Sequence, residues 1–437
     1  MDDRQRSKEN TASAWGRIRK NVGVLLSGRA IFALFNLAAV AVATRAVGLE
    51  AIGAIGLLMA FARLTGGLFK LGTWQAVLTY GAPIKKAGDR TGLRRLIGLT
   101  LMLDAAAVIL AVGCAILAAI HAGPLMGWTE EMIAVAPWFM VTVAFLMQMT
   151  PVGILRLYDK IIPIASQHAT TAVLRLIGAS GIWAFGGGFT ALAVVWAASA
   201  VIAGALLWLN AFRVGAAEIG RPTFSSAIRQ RRDRFPRFWR FAGATNLTTT
   251  LNNAIMPVTT LVVGAALGPA AAGLFHLVRQ VTDAMVRPAT VLSQVVYPEF
   301  SLLAAEADKR AMRRIMKRAL LYAALVQIAV VAALALGGGW ILVGLFGPEA
   351  AAGREALALV ALASGVVVTG FALEPALMSI GRAGLAMRAT FGAWAVYVAA
   401  LFALLPPYGL VGVGASLVLC RATQFAWRLT LAVRNLK

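Results

Sequence analysis

The chain has 437 residues, of which 60% are hydrophobic and 14% are charged, and its mean hydropathy is +0.78. A soluble protein of this length would carry charges on about a quarter of its residues. The composition therefore excludes a soluble domain and indicates an α-helical membrane protein with many spans. Cys114 and Cys420 both fall in apolar runs, so they predict neither a disulfide framework nor a metal site.

The formal net charge of +23 would ordinarily suggest nucleic-acid binding. The basic residues, however, are concentrated in the polar connections between the apolar runs, where a membrane protein contacts lipid headgroups. We therefore expect the lipid bilayer, and no nucleic acid, to be the partner of this charge.

Apolar runs long enough to cross a hydrocarbon layer of about 30 Å recur along the chain. A polar segment without a cleavage site precedes the first run, so we expect it to remain in the cytosol. Residues 72–94 are predicted to form a basic loop after the second run. The predicted fold is an all-α polytopic membrane protein of about twelve transmembrane helices, near 22–44, 48–71, 95–120, 131–153, 163–186, 189–212, 239–263, 268–296, 314–337, 353–379, 386–405 and 409–432.

Lysine and arginine divide the connections into two classes. One class is strongly basic, whereas the loops of the other class carry only Arg45 and Arg354, both at span edges. Because positively charged loops stay in the cytoplasm, both termini are predicted to be cytoplasmic. The predicted division is a cytosolic segment 1–21, a six-helix bundle 22–212, a basic cytosolic linker 213–238, a second six-helix bundle 239–432 and a cytosolic tail 433–437.

The two predicted bundles share a sequence repeat. The segment AVGLEAIGAIGLL recurs as ALGPAAAGLFHLV, which places Gly48 and Gly53 opposite Gly268 and Gly273. Both halves begin on the same side of the membrane. We therefore predict a parallel repeat, with a pseudo-twofold axis along the membrane normal.

The segment HLVRQVTDAMVRPATVLSQ, residues 276–294, places charges inside the predicted eighth span. Arg279, Asp283 and Arg287 follow at i, i+4 and i+8 and so share one helix face, with His276 and Gln280 beside them. A charge at a helix centre costs about 2.5–3.5 kcal/mol. These groups must therefore line a water-filled cavity or pair with each other, and a purely structural Arg279–Asp283 ion pair also fits the pattern.

Polar residues recur in the corresponding leading helices of each half. Arg29, which could also reach the cytoplasmic headgroups, lies with Asn36 in the first span, and Arg63 lies in the second. Arg175 is mid-span and has no evident partner in the sequence. The seventh span adds Asn246, Thr249, Asn252 and Asn253.

We expect these polar faces to converge on one central cavity. Arginines outnumber carboxylates there, and guanidinium groups match phosphate geometry, so a phosphorylated anion is the favoured ligand. Asp283 and Glu374 are the candidate carboxylates for coupling to protons or sodium, although Glu374-Pro375 also reads as a helix kink.

Several ordered segments resemble those of a known family. They are LLSGRAIFALFNLAAVAVATRAVGLEAIGAIGLL (25–58), TWQAVLTYGAP (73–83), the stretch 267–318 that contains a Tyr-Pro-Glu turn, and GRAGLAMR (381–388). They resemble bacterial polysaccharide (O-antigen, Wzx-like) flippases of the multidrug/oligosaccharidyl-lipid/polysaccharide exporter superfamily. The resemblance covers nearly the whole chain.

The resemblance implies a flippase/MATE-like fold of two six-helix bundles around a cationic cavity. It implies that the protein moves a polyprenyl-diphosphate-linked oligosaccharide from the cytoplasmic to the outer leaflet of the bacterial inner membrane, by alternating access, for cell-surface polysaccharide biosynthesis. We expect Arg29, Arg63, Arg279 and Arg287 to bind the diphosphate. We expect the sugars to contact Asn36, Asn246, Thr249, Asn252, Asn253, His276 and Gln280.

No bond is made or broken in such a process, so we expect no enzyme activity and no cofactor. Coupling to protons, sodium or the membrane potential stays open, and a polysaccharide polymerase and glycosyltransferases are the candidate protein partners. The alternative functions are a multidrug or cation antiporter of the same fold and a membrane glycosyltransferase or polymerase. The arginine excess disfavours the first, and the short external loops disfavour the second.

Overall fold

The computed structural model describes residues 33–220, 238–305 and 309–436. Every regular element in these ranges is a helix. The N-terminal half contains α1 (Ala33–Val47), α2 (Leu49–Phe69), α3 (Thr73–Lys86), α4 (Arg90–Ala122), α5 (Glu130–Phe139), α6 (Thr142–Leu146), α7 (Met149–Leu157), α8 (Ile162–Phe185) and α9 (Phe189–Glu218).

The C-terminal half is built in the same way from long helices. Its elements are α10 (Phe238–Ala305), α11 (Lys309–Phe346), α12 (Arg354–Thr369), α13 (Leu373–Ser379) and α14 (Ala383–Asn435). Two of these helices contain a non-helical residue, Gly268 in α10 and Gly409 in α14, so each consists of two segments joined at a kink.

The spans of the described chain agree with the sequence prediction. Seven helices are long and apolar enough to cross a membrane, and the pair α5 and α6–α7, bent by 54°, adds an eighth. With the kinks at Gly268 and Gly409 taken into account, the predicted spans coincide with helices or half-helices where their residues are described, except that the fourth and the tenth each contain more than one helix. The predicted all-α polytopic fold is confirmed.

Two regions differ from the prediction in detail. The basic loop expected at residues 72–94 is largely the helix α3, which buries Thr73, Ala76 and Val77 on one face. The fourth predicted span is not a single helix, because it is interrupted after α5 and again between α6 and α7. Pro137 and Pro151 lie beside these interruptions, and proline has no backbone N–H to continue a helical ladder.

The chain divides into two compact units. One contains the described residues through Ala39 together with Leu58–Val258, and the other contains Val40–Leu57 and the chain from Thr259 onward. The predicted domain boundaries at 22–212 and 239–432 stay a prediction.

Each unit has its own apolar core. In the first unit, Val77 of α3 packs with Leu93 and Ile97 of α4 and with Ile154 of α7. In the second unit, Phe300, Met312 and Met316 pack against α13 and the end of α14. The outer surfaces stay apolar, as in α11, where only 6% of the membrane-length window is buried.

The predicted repeat appears in the backbone. Gly48, between α1 and α2, has φ 88°, and Gly268, at the kink of α10, has φ 85°. Gly127 and Gly347 are separated by the same interval and have φ 70° and 100°. Since L-residues with a side chain rarely adopt positive φ, glycine permits these turns at matching places in the two halves.

Glycines also bring the two repeated segments into contact inside the second unit. A Cβ added at Gly53 of α2 would overlap the carbonyl oxygen of Pro269, and a Cβ added at Gly273 would overlap that of Leu49. The start of α2 and the second part of α10 therefore cross with their backbones touching. We name this contact the glycine crossing.

Candidate functional site

The polar face of the second part of α10 carries an ion pair. Arg279 Nη2 lies 3.5 Å from Asp283 Oδ2, and Arg279 Nη1 donates to Thr260 Oγ1 at 3.5 Å. The Arg279 side chain is 17% exposed, whereas that of Asp283 is 45% exposed. The pair predicted from the i, i+4 spacing is therefore present, with the carboxylate as its more accessible member.

Arg279 keeps unused donor capacity. Its Nε is buried and has no hydrogen-bond acceptor among the described residues. Such an unmade bond costs about 1–3 kcal/mol, and a guanidinium presents its donors in a rigid fork that suits phosphate or carboxylate. The arrangement favours an added anion at this side chain.

Three further predicted residues lie on the same helix. Arg287 is two turns beyond Arg279, is partly buried and is engaged with neighbouring groups. Gln280 Nε2 donates a hydrogen bond to His276 Nε2 at 3.2 Å, which requires the imidazole tautomer that carries its proton on Nδ1. The His276 ring lies against α2, about van der Waals distance (3.6 Å) from where a Cβ at Gly56 would sit.

In the first unit, the predicted arginine of α2 is Arg63. Its side chain is exposed, and its positive charge acts on Arg175 and on Lys70. Positive charges on α2 and α8 of this unit, Arg63 and Arg175, therefore lie close enough to interact.

Arg175 of α8 is only 6% exposed, and the structure supplies the partners that the sequence did not reveal. Its Nε donates to Ser199 Oγ at 3.1 Å and its Nη1 donates to Asn36 Oδ1 at 3.2 Å. Its guanidinium carbon lies 5.3 Å from the centre of the Trp196 ring. All of these partners are neutral, and no carboxylate in the described ranges forms an ion pair with Arg175. Asn36, predicted to contact sugar, serves here as an acceptor for a buried cation.

Glu374 of α13 belongs to a polar network with α14. Its Oε2 lies 2.9 Å from Arg428 Nη1, with side-chain exposures of 42% for Glu374 and 14% for Arg428. Arg428 Nη2 donates to Thr390 Oγ1 at 3.0 Å, and Gln424 Nε2 donates to the same oxygen at 3.1 Å. Arg421 continues the chain by donating to Gln424 at 3.1 Å.

Both carboxylates predicted to couple an ion are therefore paired with an arginine. Each carboxylate has a guanidinium within 3.5 Å as its counter-charge. In the part of the chain that is described, no group of acidic, histidine or cysteine residues is arranged to hold a metal ion.

Sequence reasoning assigned no role to Asp104 of α4, a carboxylate that is only 4% exposed. Thr73 Oγ1 donates to its Oδ1 at 2.7 Å, and the backbone N–H of Thr150 donates to its Oδ2 at 2.8 Å. The only signal in the sequence was an aspartate inside an apolar span. The partners lie 31 and 46 residues away and could not be identified without the fold.

The remaining predicted residues can be placed only in part. Arg29 lies outside the described residues. Positions 246, 249, 252 and 253 fall within the first part of α10 as helical backbone.

Comparison with known proteins adds to this geometry. Residues 164–349 match a protein family described as "Polysaccharide biosynthesis protein". The chain is 28% identical over 292 residues to "Inner membrane protein YghQ" of Escherichia coli strain K12, covering 65% of this chain and 81% of that protein.

Solved transporter structures share the fold. An inward-facing multidrug resistance MATE family transporter of the MOP superfamily superposes with a TM-score of 0.73 at 17% identity, covering 94% of this chain and 98% of that one. The lipid II flippase MurJ, in an inward closed conformation, gives a TM-score of 0.73 at 14% identity, covering 93% and 87%. A point mutant of the Vibrio cholerae MATE transporter VcmN gives 0.65 at 14% identity and covers 98% of each chain.

These comparisons bear on the family predicted from the sequence. The family match lies across α8, α9, α10 and α11, and the structural similarity covers almost the entire chain. The predicted resemblance to polysaccharide exporters is confirmed: this is a multi-pass membrane protein with the MATE/MurJ-type transporter fold and a polysaccharide biosynthesis family match over residues 164–349.

Proposed function

We propose that the protein is a transporter of the bacterial inner membrane that flips a polyprenyl-diphosphate-linked oligosaccharide from the cytoplasmic to the outer leaflet. The product would serve cell-surface polysaccharide biosynthesis, of which the O-antigen is one example. The family match to polysaccharide biosynthesis proteins and the MATE/MurJ-type fold support a transporter of this kind.

The observation that carries the substrate class is the state of Arg279. Its guanidinium is mostly buried, has one carboxylate partner that is itself accessible, and leaves its Nε without an acceptor among the described residues. An incoming phosphate would supply that acceptor, and a guanidinium remains charged at any accessible pH. Arg287, two turns further on, provides a second cation on the same helix.

We propose that Arg279 and Arg287 bind the diphosphate and that His276 and Gln280 contact the sugars. Arg29, Arg63, Asn36 and the polar positions 246, 249, 252 and 253 remain predictions for the same ligand. The polyprenyl tail stays in lipid. The cycle moves the head group by alternating access and changes no covalent bond, so the protein is a transporter rather than an enzyme, and a polymerase and glycosyltransferases would act before or after it.

The membrane potential favours this direction of transport. A head group with two uncompensated negative charges would gain about 4.6 kcal/mol per 100 mV on moving outward across an inside-negative membrane. Arginines that moved with the head group would reduce this gain.

The test is translocation of a fluorescent short-chain polyprenyl-diphosphate oligosaccharide by the full-length protein in proteoliposomes. Arg279→Ala should slow translocation roughly 10- to 100-fold, which corresponds to the loss of a charge-assisted hydrogen bond of about 1.5–3 kcal/mol. Arg279→Lys, which keeps the charge without the fork, should be intermediate. Arg310→Ala, an exposed basic residue of α11, is the matched control and should behave as wild type.

Equal translocation by folded Arg279→Ala and wild type would refute the assignment of the head group to α10. Efflux of cationic dyes that depends on Asp283, without movement of the lipid-linked sugar, would instead indicate a cation antiporter.

A further inference from the structure

Asp104 of α4 lies where two interrupted helices begin. Thr73, which donates to its Oδ1, is the first residue of α3 and follows the break that ends α2 at Phe69. Thr150, whose N–H donates to Oδ2, is the second residue of α7 and follows the break after α6. One buried carboxylate therefore contacts the N-terminal turns of two half-helices.

The carboxylate replaces a cap that the local sequence does not provide. Gln148, at the N-cap of α7, makes no capping bond, because its side chain donates to Phe145 O and accepts from Gln167 Nε2 at 2.5 Å. The first turn of a helix leaves backbone N–H groups without intrahelical partners and carries partial positive charge. A negative charge on Asp104 satisfies one such group and complements both helix ends.

No cation neutralises Asp104 within the described ranges. The elements packed against α4 carry Lys85 and Lys86 on α3, Glu130 and Glu131 on α5, and Arg156 on α7. The helix itself carries Arg90, Arg94, Arg95 and His121, and Tyr80 lies on α3.

None of these groups bonds to Asp104, whose contacts are those with Thr73 and Thr150. Lys85 donates to Leu157 O at 2.8 Å, and Arg94 donates to Ile219 O at 2.6 Å. Asp104 thus differs from Asp283 and Glu374, which are each paired with an arginine.

Its two hydrogen bonds also suit a proton better than a metal ion. A hydroxyl can either donate or accept, so the 2.7 Å contact with Thr73 can hold a carboxylate that accepts or a carboxylic acid that donates. The Thr150 N–H can only donate, and it holds Oδ2 as an acceptor in both states. Among the described residues, Asp104 belongs to no group of acidic, histidine or cysteine side chains that could hold a metal ion.

We propose that Asp104 is the proton-coupling site of the transporter. The Oδ1 atom takes up a proton from one side of the membrane and releases it to the other during the cycle. The neutral acid keeps its bonds to Thr73 and Thr150 but loses the charge that complements the starts of α3 and α7. Protonation of Asp104 thereby weakens the electrostatic stabilisation of the starts of α3 and α7. The proposal rests on the transport function proposed above.

The experiment compares full-length wild type with Asp104→Asn in proteoliposomes, using the fluorescent lipid-linked oligosaccharide with and without a pH gradient. A gradient of about one pH unit can support up to about tenfold accumulation per proton. Wild type should accumulate substrate under the gradient. Asp104→Asn, which is isosteric and cannot titrate, should lose that accumulation, so that its translocation is the same with and without the gradient.

Asp159→Asn is the matched control, because Asp159 is an exposed aspartate with φ 54°, a conformation that asparagine tolerates. It should retain gradient-driven accumulation. The proposal would be overturned if wild-type translocation did not depend on the pH gradient. It would also be overturned if Asp283→Asn, and not Asp104→Asn, abolished gradient-driven accumulation. Either result would leave the flippase function intact.

A second measurement does not need transport and separates the two proposals. Infrared difference spectra of the purified protein at two pH values should show a carboxylic acid band in wild type that is absent in Asp104→Asn. A band that persists in the variant would overturn the assignment even if no substrate were moved. If Asp104→Asn does not fold, Thr73→Val must shift the frequency of that band by removing one hydrogen bond, and an unshifted band would equally refute the site.

Discussion

Arg175 lies in α8 with its guanidinium against the Ser199 hydroxyl, the Asn36 amide and the face of Trp196. Each contact places partial negative charge near the cation, but none provides a full counter-charge. A buried charge held only by dipoles retains part of its desolvation cost. At the scale of single residues, this predicts that the site is sensitive to the charge of position 36.

Asn36→Asp should raise the thermal unfolding midpoint of the detergent-purified protein. The substitution is isosteric and would place a carboxylate about 3.2 Å from the Arg175 guanidinium, which would then have a counter-ion. Asn36→Leu should lower the midpoint, because it removes an acceptor from a charged donor at a cost of about 1.5–3 kcal/mol. A midpoint lowered equally by both substitutions would show that charge compensation does not limit stability here.

Contacts between neighbours on one helix could be predicted from the sequence, and contacts between helices could not. Arg279 and Asp283 are four residues apart, so the helical period alone brings them together. Glu374 and Arg428 lie on different helices, as do Asp104 and its partners. Their pairing depends on helix packing, which the hydropathy pattern does not determine.

At the scale of helices, the glycine crossing explains why the repeat is most evident at Gly53 and Gly273. Each residue faces backbone of the other segment, so neither position has room for a Cβ. Gly56, one turn further along α2, meets the His276 ring in the same way, although at ordinary contact distance. The crossing therefore restricts residue size on both helices.

Gly53→Ala should strongly reduce the yield and thermal stability of folded protein. The added Cβ would overlap the Pro269 carbonyl oxygen, and overpacking against rigid backbone costs at least about 1–3 kcal/mol. Gly67→Ala in the same helix is the control, since a Cβ there meets nothing within 4 Å. It should be neutral or stabilising by about 0.5–1 kcal/mol. Size-exclusion profiles and thermal unfolding of both variants would check this, and an unaffected Gly53→Ala protein would contradict the crossing.

The all-helical, multi-span fold followed from the sequence because a membrane span needs about 20 apolar residues. The end of the second span at residue 71 was predicted, but the helical start of α3 and the break before α7 were not. Gly72 and Pro151 mark them, but such residues also occur in continuous helices. The bonds that complete these two helix starts come from Asp104 on another helix, so only the fold reveals them.

At the scale of the whole molecule, some basic side chains also form structural hydrogen bonds, in addition to predicting the orientation of the protein in the membrane. Lys85 and Arg94 donate to carbonyls at the C-terminal ends of α7 and α9, where cations complement the helix dipole. At the start of α11, Met312 and Met316 are buried, and the exposed basic residues around them are Lys309, Arg310, Arg314, Lys317 and Arg318. These basic residues of the described chain therefore lie at helix ends.

The predicted orientation places both termini in the cytoplasm. Green fluorescent protein fused after Lys437 should therefore fluoresce, since it folds only on that side. Alkaline phosphatase fused in the turn at Gly127 should be active, because this turn is predicted to face outward. Activity reversed at both positions would invert the topology and, with it, the direction of transport proposed here.

The glycine crossing also has a consequence for biosynthesis. The start of α2 packs against a segment of α10 that lies about 220 residues later in the chain. At a synthesis rate of about 5–20 residues per second, the ribosome needs roughly 10–45 s to make the intervening chain. During this time α2 is already in the membrane with Gly53 uncovered. A nascent chain stopped before α10 should therefore remain a substrate for membrane quality control, however well its own helices have inserted.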